Sequence, residues 1–190
     1  EGIQGPELVE LMRKQAERFG AEYKAETVTS VDLSKRPFAV RTDENEYLAR
    51  TLIVATGASA RLLGLDTEKR LMGRGVSTCA TCDGAFFRNM EIAVVGGGDT
   101  AMEEANFLTR FASKVLVIHR RDEFRASKIM VDRARKNPKI EFVLNSVVTY
   151  IHASEKNEVS SILLKNVKDG SETIRKVEGV FIAIGHDPNT

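Results

Sequence analysis

The chain has two cysteines, Cys79 and Cys82, in a C-x-x-C spacing. That spacing lets two sulfurs close a small ring on a helix-like turn. Near a helix N-terminus it also lowers the thiol pKa, so the reactive thiolate is populated. A closed structural zinc site needs four ligands. A second cysteine pair is absent and His119, His152 and His186 are scattered along the sequence, so no metal site is expected. Asp83 follows the second cysteine, where a carboxyl group can supply or accept the proton that thiol–disulfide exchange requires. The plainer reading has Asp83 opening a turn with Gly84 and both cysteines inert in a core. For an isolated pair the two readings stand level.

Cys82 lies 14 residues before Gly96, and the stretch between them shifts the balance. The apolar run Ile92–Val95 leads into VVGGGDTA, which places Gly96, Gly98 and Ala101 at the G-x-G-x-x-G/A spacing. The first glycine permits a tight turn, the second admits a pyrophosphate close to the backbone, and Ala101 lets the helix pack near the strand. Thr100 and Glu103 fit a capping box, which predicts a helix start at Thr100 whose open N–H groups and dipole favour phosphate. A dinucleotide site specific for NAD usually carries an acid at the end of the second strand. Here His119 takes that place, followed by Arg120, Arg121 and, one helical turn on, Arg125. Guanidinium groups match a 2′-phosphate, so the pattern favours NADP over NAD. The competing reading is a solvated basic face neutralised by Asp122 and Glu123. With an NADP site beside them, the cysteines read as a redox dithiol.

These groups need a scaffold. Pro6 starts a predicted helix with Leu8, Leu11, Met12, Ala16 and Phe19 on one face and Gly20 at its end. AEYKAE, VTSVDL, FAVRT and EYLARTLIVAT alternate as an antiparallel meander. Residues 61–78, rich in Gly and Arg, read as a linker with a domain boundary near residue 66. Beyond it, IAVV, a helix over about 100–111, VLVI, a helix over about 124–136 and IEFVL give β-α-β-α-β. Further strands follow, with Asp169–Gly170 as a hairpin turn. The order predicts an α/β fold: a Rossmann-like parallel sheet with an antiparallel meander. LIVATG (52–57) and FIAIGH (181–186) echo each other and read as two crossings between domains.

Composition sets the bounds. The chain has 190 residues, 42% of them apolar, and a net charge of +1. That length allows one large or two small domains, and that balance gives no general attraction to nucleic acid or anionic membrane. No apolar run has the length of a membrane span. The start, EGIQGPELVE, lacks both an initiator Met and a secretory h-region. An internal piece of a longer, cytoplasmic chain is expected.

CATCDGAFFRN, VVGGGDTAMEEANFLTRFASKVLVIHRRDEFRASKIM and GVFIAIGHDPNT together resemble the low-molecular-weight, bacterial-type thioredoxin reductases, and RTLIVATGASARLLGL and GRGVS fit the same family. The resemblance runs over residues 1–190. It implies an NADPH-dependent flavoprotein of the pyridine nucleotide-disulfide oxidoreductase type that reduces thioredoxin through FAD, and a homodimer. By that resemblance Cys79 attacks thioredoxin, Cys82 faces the flavin and Asp83 is the acid/base. Gly96, Gly97, Gly98, Asp99, Thr100, Ala101, His119, Arg120, Arg121 and Arg125 form the NADPH site, with Ile184 at the nicotinamide. Thr56 and Gly57 lie near the flavin, and the Val28 backbone meets its adenine. Residues 1–66 then correspond to part of an FAD-binding domain, 67–187 to the NADPH and dithiol domain, and 188–190 to the return to the FAD domain. The family's opening FAD turn and closing FAD segment have no counterpart in these residues, so the piece alone is expected to bind NADPH without turnover. Glycines near residues 57–75 and 185 are candidate hinges for a domain swing. The rival readings are a related disulfide reductase serving a peroxiredoxin, a non-catalytic NADP-binding or redox-sensing module, and a zinc protein.

Overall fold

The computed structural model describes residues 2–189. They divide into two compact units, the first ending at Ala55 and the second beginning at Thr56.

In the first unit, α1 (Gly5–Arg18) starts with Pro6 in its first turn and ends just before Gly20, which takes a positive φ. Its apolar stripe stays uncovered: Leu8, Leu11, Met12 and Phe19 are exposed and the helix buries no residue. Three antiparallel strands follow, β1 (Val28–Asp32), β2 (Phe38–Thr42) and β3 (Glu46–Ala49), in the order 1-2-3. The Glu26 carboxylate ties their ends together by accepting from Thr42 Oγ1, Asn45 Nδ2 and Tyr47 Oη. The expected meander is therefore shorter than its pattern. AEYKAE forms no strand, and the run 52–55 has no ladder partner among the described residues, leaving Ile53 90% exposed. Alternation alone does not make a strand when no neighbouring edge receives its backbone groups.

The second unit opens with β4 (Ala58–Ala60), α2 (Asp66–Leu71), β5 (Val76–Ser77), α3 (Ala80–Asp83) and a 3₁₀ turn at Gly84–Phe87. The central elements are β6 (Glu91–Val95), α4 (Asp99–Leu108), β7 (Lys114–Ile118), α5 (Lys128–Arg135) and β8 (Ile140–Val143). Then come β9 (Ser146–Ala153), β10 (Val159–Asn166), β11 (Glu172–Lys176), β12 (Gly179–Ile182) and β13 (His186–Pro188). The main sheet is parallel in the order β5-β12-β6-β7-β8, and β9–β11 form a separate antiparallel sheet between β8 and β12 in sequence. This matches the expected parallel sheet with an antiparallel meander.

Period-two alternation sorts the parallel strands into two cores. Ile92, Val94, Val115, Val117 and Phe181 face α4 and the 3₁₀ turn. Ala93, Val95, Leu116, Ile118 and Ile182 face Leu71 of α2 and the antiparallel sheet. Strands buried on both faces read as unbroken apolar runs, which is why IAVV and VLVI stand out.

The stretch read as a linker is instead folded. Leu71 is fully buried in the core. The Glu68 carboxylate, also fully buried, accepts from the backbone N–H groups of Leu63, Gly64 and Leu65. Val76–Ser77 is the sheet's edge strand. The residues at or just after the ends of the two echoing segments pair with each other: β4 runs antiparallel to β13, outside the main sheet.

Candidate functional site

The sheet order decides what can gather at its C-terminal edge. The turn after β6 has the end of β12 on one side and the end of β7 on the other. This is where parallel α/β sheets place ligands.

The glycines of that turn have separate duties. Gly96 donates to Ile118 O at 3.0 Å, and a Cβ on it would strike Ala183 O and Ala101. A Cβ on Gly97 would collide with the His119 ring. At Gly98 a Cβ would meet nothing within 4 Å, so that side of the turn is an open cradle. Gly98 is also the N-cap of α4, with no side-chain cap. The expected Thr100–Glu103 capping box is therefore corrected: the helix begins one residue earlier, at Asp99. Among the described residues no side chain competes for its first N–H groups, which leaves them available to an anion.

The segment expected to be helical from Phe124 is held otherwise up to Ser127. Arg125 and Ala126 donate their backbone N–H groups to Gly97 O at 2.8 and 3.0 Å. Asp99 accepts from Ser127 N and Oγ at 2.7 and 2.9 Å. These bonds strap residues 125–127 to the glycine turn and delay α5 to Lys128.

The resulting cleft has a volume of about 600 Å³. The turn Gly96–Gly98 and Thr100 line it, with His119, Arg120, Arg121 and Arg125 on the β7 side. Ile184 lines the β12 side. Ala101 is fully buried beneath the turn, and the Asp99 carboxylate is occupied by Ser127. His119 is buried, donates from Nε2 to Glu123 O at 3.0 Å and stacks on Phe124. Burial, reinforced by the charges of Arg120 and Arg121, holds its imidazole below the ordinary histidine range, against the bond to Glu123. Its ring lines the cleft against Gly97.

The three arginines are exposed. Asp122, the expected neutralising partner, pairs with Lys168 at 2.8 Å instead. Among the described residues no carboxylate forms an ion pair with Arg120, Arg121 or Arg125. A cleft with a phosphate-sized cradle, an open helix start and three unpaired guanidiniums suits a dinucleotide carrying an extra phosphate.

The cysteines lie outside this cleft. Cys79 and Cys82 form a disulfide with Cα atoms 5.3 Å apart. Cys79 is the N-cap of α3: its Sγ accepts from Cys82 N at 3.2 Å, and its own N–H donates to Ser77 Oγ. On reduction, that Cys82 N–H would favour a thiolate at Cys79. Cys82 is exposed, while Cys79 and Asp83 are half-buried. The dithiol is fixed to the glycine turn through α4. Gly84 seats against Leu108 and Phe111, and Ala80 shares the core that holds Ala101.

Thr56 O and Gly57 O accept from Asn189 Nδ2 and N. Val28 opens β1 in the other unit and is exposed. Three features escaped the sequence reading: Arg61 in the cleft lining, the Asp99–Ser127 strap, and Phe86, 75% exposed just after the dithiol helix. Only Phe86 leaves a local signal, as one of two adjacent aromatics just after the cysteine pair. The others depend on partners distant in sequence.

A family model described as pyridine nucleotide-disulphide oxidoreductase matches residues 3–190. Over 190 residues the chain is 54% identical to the thioredoxin reductase of Mycolicibacterium smegmatis, covering all of this chain and 60% of that one. It is also 54% identical to the bifunctional thioredoxin reductase/thioredoxin of Mycobacterium leprae, covering 41% of it. The crystal structure of Lactococcus lactis thioredoxin reductase superposes with a TM-score of 0.81 at 43% identity, over 98% of this chain and 61% of that one. The chain therefore spans between 41% and 61% of the length of these relatives. No helix among the described residues is long and apolar enough to cross a membrane.

Proposed function

The chain belongs to the pyridine nucleotide-disulphide oxidoreductase family, and from that premise we propose that its second unit binds NADPH and carries the redox dithiol of a thioredoxin reductase. The observation that carries this is the group of three exposed, unpaired arginines at the end of β7, facing the same cleft as the open glycine turn. Those arginines would hold a 2′-phosphate, and the Gly98 cradle with the first turn of α4 would hold the pyrophosphate.

NADPH supplies the hydride in such a protein. The chain's own residues set its position: Arg120, Arg121 and Arg125 hold the 2′-phosphate, the glycine turn holds the pyrophosphate, and Ile184 packs at the nicotinamide side. Val28, Thr56 and Gly57 are the residues proposed to hold FAD, which would carry the hydride's electron pair on to the dithiol segment. The Cys79–Cys82 disulfide accepts the two electrons, and the dithiol passes them to the disulfide of thioredoxin. The N–H at Cys79 Sγ stabilises the attacking thiolate, and Asp83, which follows Cys82 at the end of α3, moves the proton. Exposed Phe86 offers apolar surface for the docking protein. Cytoplasmic location and a homodimer belong to the same reading.

The test is calorimetry of the 190-residue chain with NADP⁺ and NAD⁺. Tighter binding of NADP⁺, with no turnover of NADPH and thioredoxin, is expected. Equal affinity for the two would remove the arginine argument, and turnover in added FAD would overturn the division of labour between this piece and the rest.

A further inference from the structure

Arg61 lies outside every motif and inside the cleft. It follows β4, and its N–H donates to Gly185 O at 3.0 Å, which fixes it at the end of β12. Its guanidinium grips one carboxylate oxygen of Asp187, from Nε at 2.7 Å and from Nη2. The sheet order puts β12 and β7 on opposite sides of the glycine turn. A dinucleotide whose 2′-phosphate meets the arginines after β7 therefore extends its nicotinamide half toward Ile184 and Arg61.

Building on the NADPH reading above, we infer that Arg61 binds the phosphate on the nicotinamide side of the dinucleotide, and that Asp187 competes with that phosphate for it. On the β12 side Arg61 is the one cation among the described residues lining the cleft. Its partner is weakly committed. Arg61 and Asp187 are both more than half exposed, and exposed ion pairs contribute little. A pyrophosphate delivered at the cleft's open end offers the same guanidinium a bidentate anion. Asp187 belongs to β13, which pairs with β4. Entry of the dinucleotide thus removes the side-chain clasp across this two-stranded ribbon while its backbone bonds remain.

Two probes separate the halves of the ligand. NADP⁺ carries both halves; adenosine 2′,5′-bisphosphate carries the 2′-phosphate but no nicotinamide side. In titrations of the 190-residue chain, Arg61→Gln is expected to weaken NADP⁺ roughly tenfold, the worth of one charge-assisted bond, and to leave the bisphosphate unchanged. Asp187→Asn is expected to tighten NADP⁺ several-fold, and the double variant to match Arg61→Gln alone. Arg61→Lys, which keeps charge but not the fork, should fall between. Equal effects on both probes, an unchanged NADP⁺ affinity in Arg61→Gln, or an Asp187→Asn gain that survives in the double variant would each overturn the competition. A wild-type chain that binds neither probe refutes the NADPH reading, and this inference falls with it.

Discussion

Gly97 and Gly98 are neighbours whose substitution by alanine should fail in different ways. At Gly98 the backbone has φ −96° and ψ 179°, a conformation open to any residue, and an added Cβ touches nothing within 4 Å. Alanine is a poorer N-cap than glycine by up to about 1 kcal/mol. It also stiffens the unfolded chain, which returns about 0.4–1 kcal/mol. The two nearly cancel, so Gly98→Ala should fold with wild-type stability. Its methyl group, however, projects into the cradle where the pyrophosphate must approach the backbone. Losing about two hydrogen bonds to a charged group, at roughly 1.5–3 kcal/mol each, lowers NADP⁺ affinity by at least about a hundredfold.

At Gly97 the methyl strikes the His119 ring, which cannot step aside because Glu123 O holds its Nε2 and Phe124 stacks on it. Overpacking of this kind costs about 1–3 kcal/mol, so Gly97→Ala should lose stability as well as binding. Urea midpoints and NADP⁺ titrations of both variants decide the matter. The reasoning fails if Gly98→Ala binds NADP⁺ as wild type does, or if its loss of affinity only tracks a loss of stability.

Other substitutions test other parts of the site. Arg121→Gln should cut the preference for NADP⁺ over NAD⁺ by about tenfold while leaving NAD⁺ affinity unchanged, since the 2′-phosphate contact alone is removed. Cys79→Ser or Cys82→Ser, in the full-length protein, should abolish reduction of a thioredoxin disulfide in a steady-state assay and leave NADP⁺ binding intact. Glu104 should show in the pH dependence of stability. Burial, helped by the neighbouring Glu103, raises its carboxyl from 4.5 to about 7. The folded state therefore prefers the protonated form: that stability is complete below the unfolded value of 4.5 and is lost as pH rises through about 7. Urea midpoints across this range should slope downward in the wild type and flatten in Glu104→Gln.

The parallel strands were legible because burial on both faces leaves no polar interruption. Runs such as Ile92–Val95 and Val115–Ile118 announce themselves without any partner being known. The glycine turn was legible because close contacts above and below it exclude a Cβ at Gly96 and Gly97, whatever the ligand. Residues 61–78 were opaque for the opposite reason. Their order comes from Glu68 collecting three N–H groups and from Leu71 reaching a core built by strands far along the chain. Neither effect leaves periodicity in a six-residue helix and a two-residue strand. The errors nearest the cleft share a cause of another kind. A capping box at Thr100 and an early start to α5 at Phe124 would each satisfy backbone groups locally. The fold instead caps α4 with a bare glycine and spends the N–H groups of Arg125 and Ala126 on Gly97 O. Rules of local propensity describe elements at their own best stability. They miss where a helix start is left unsatisfied and a loop is tied to a distant turn, and in this unit both devices converge on the glycine turn after β6.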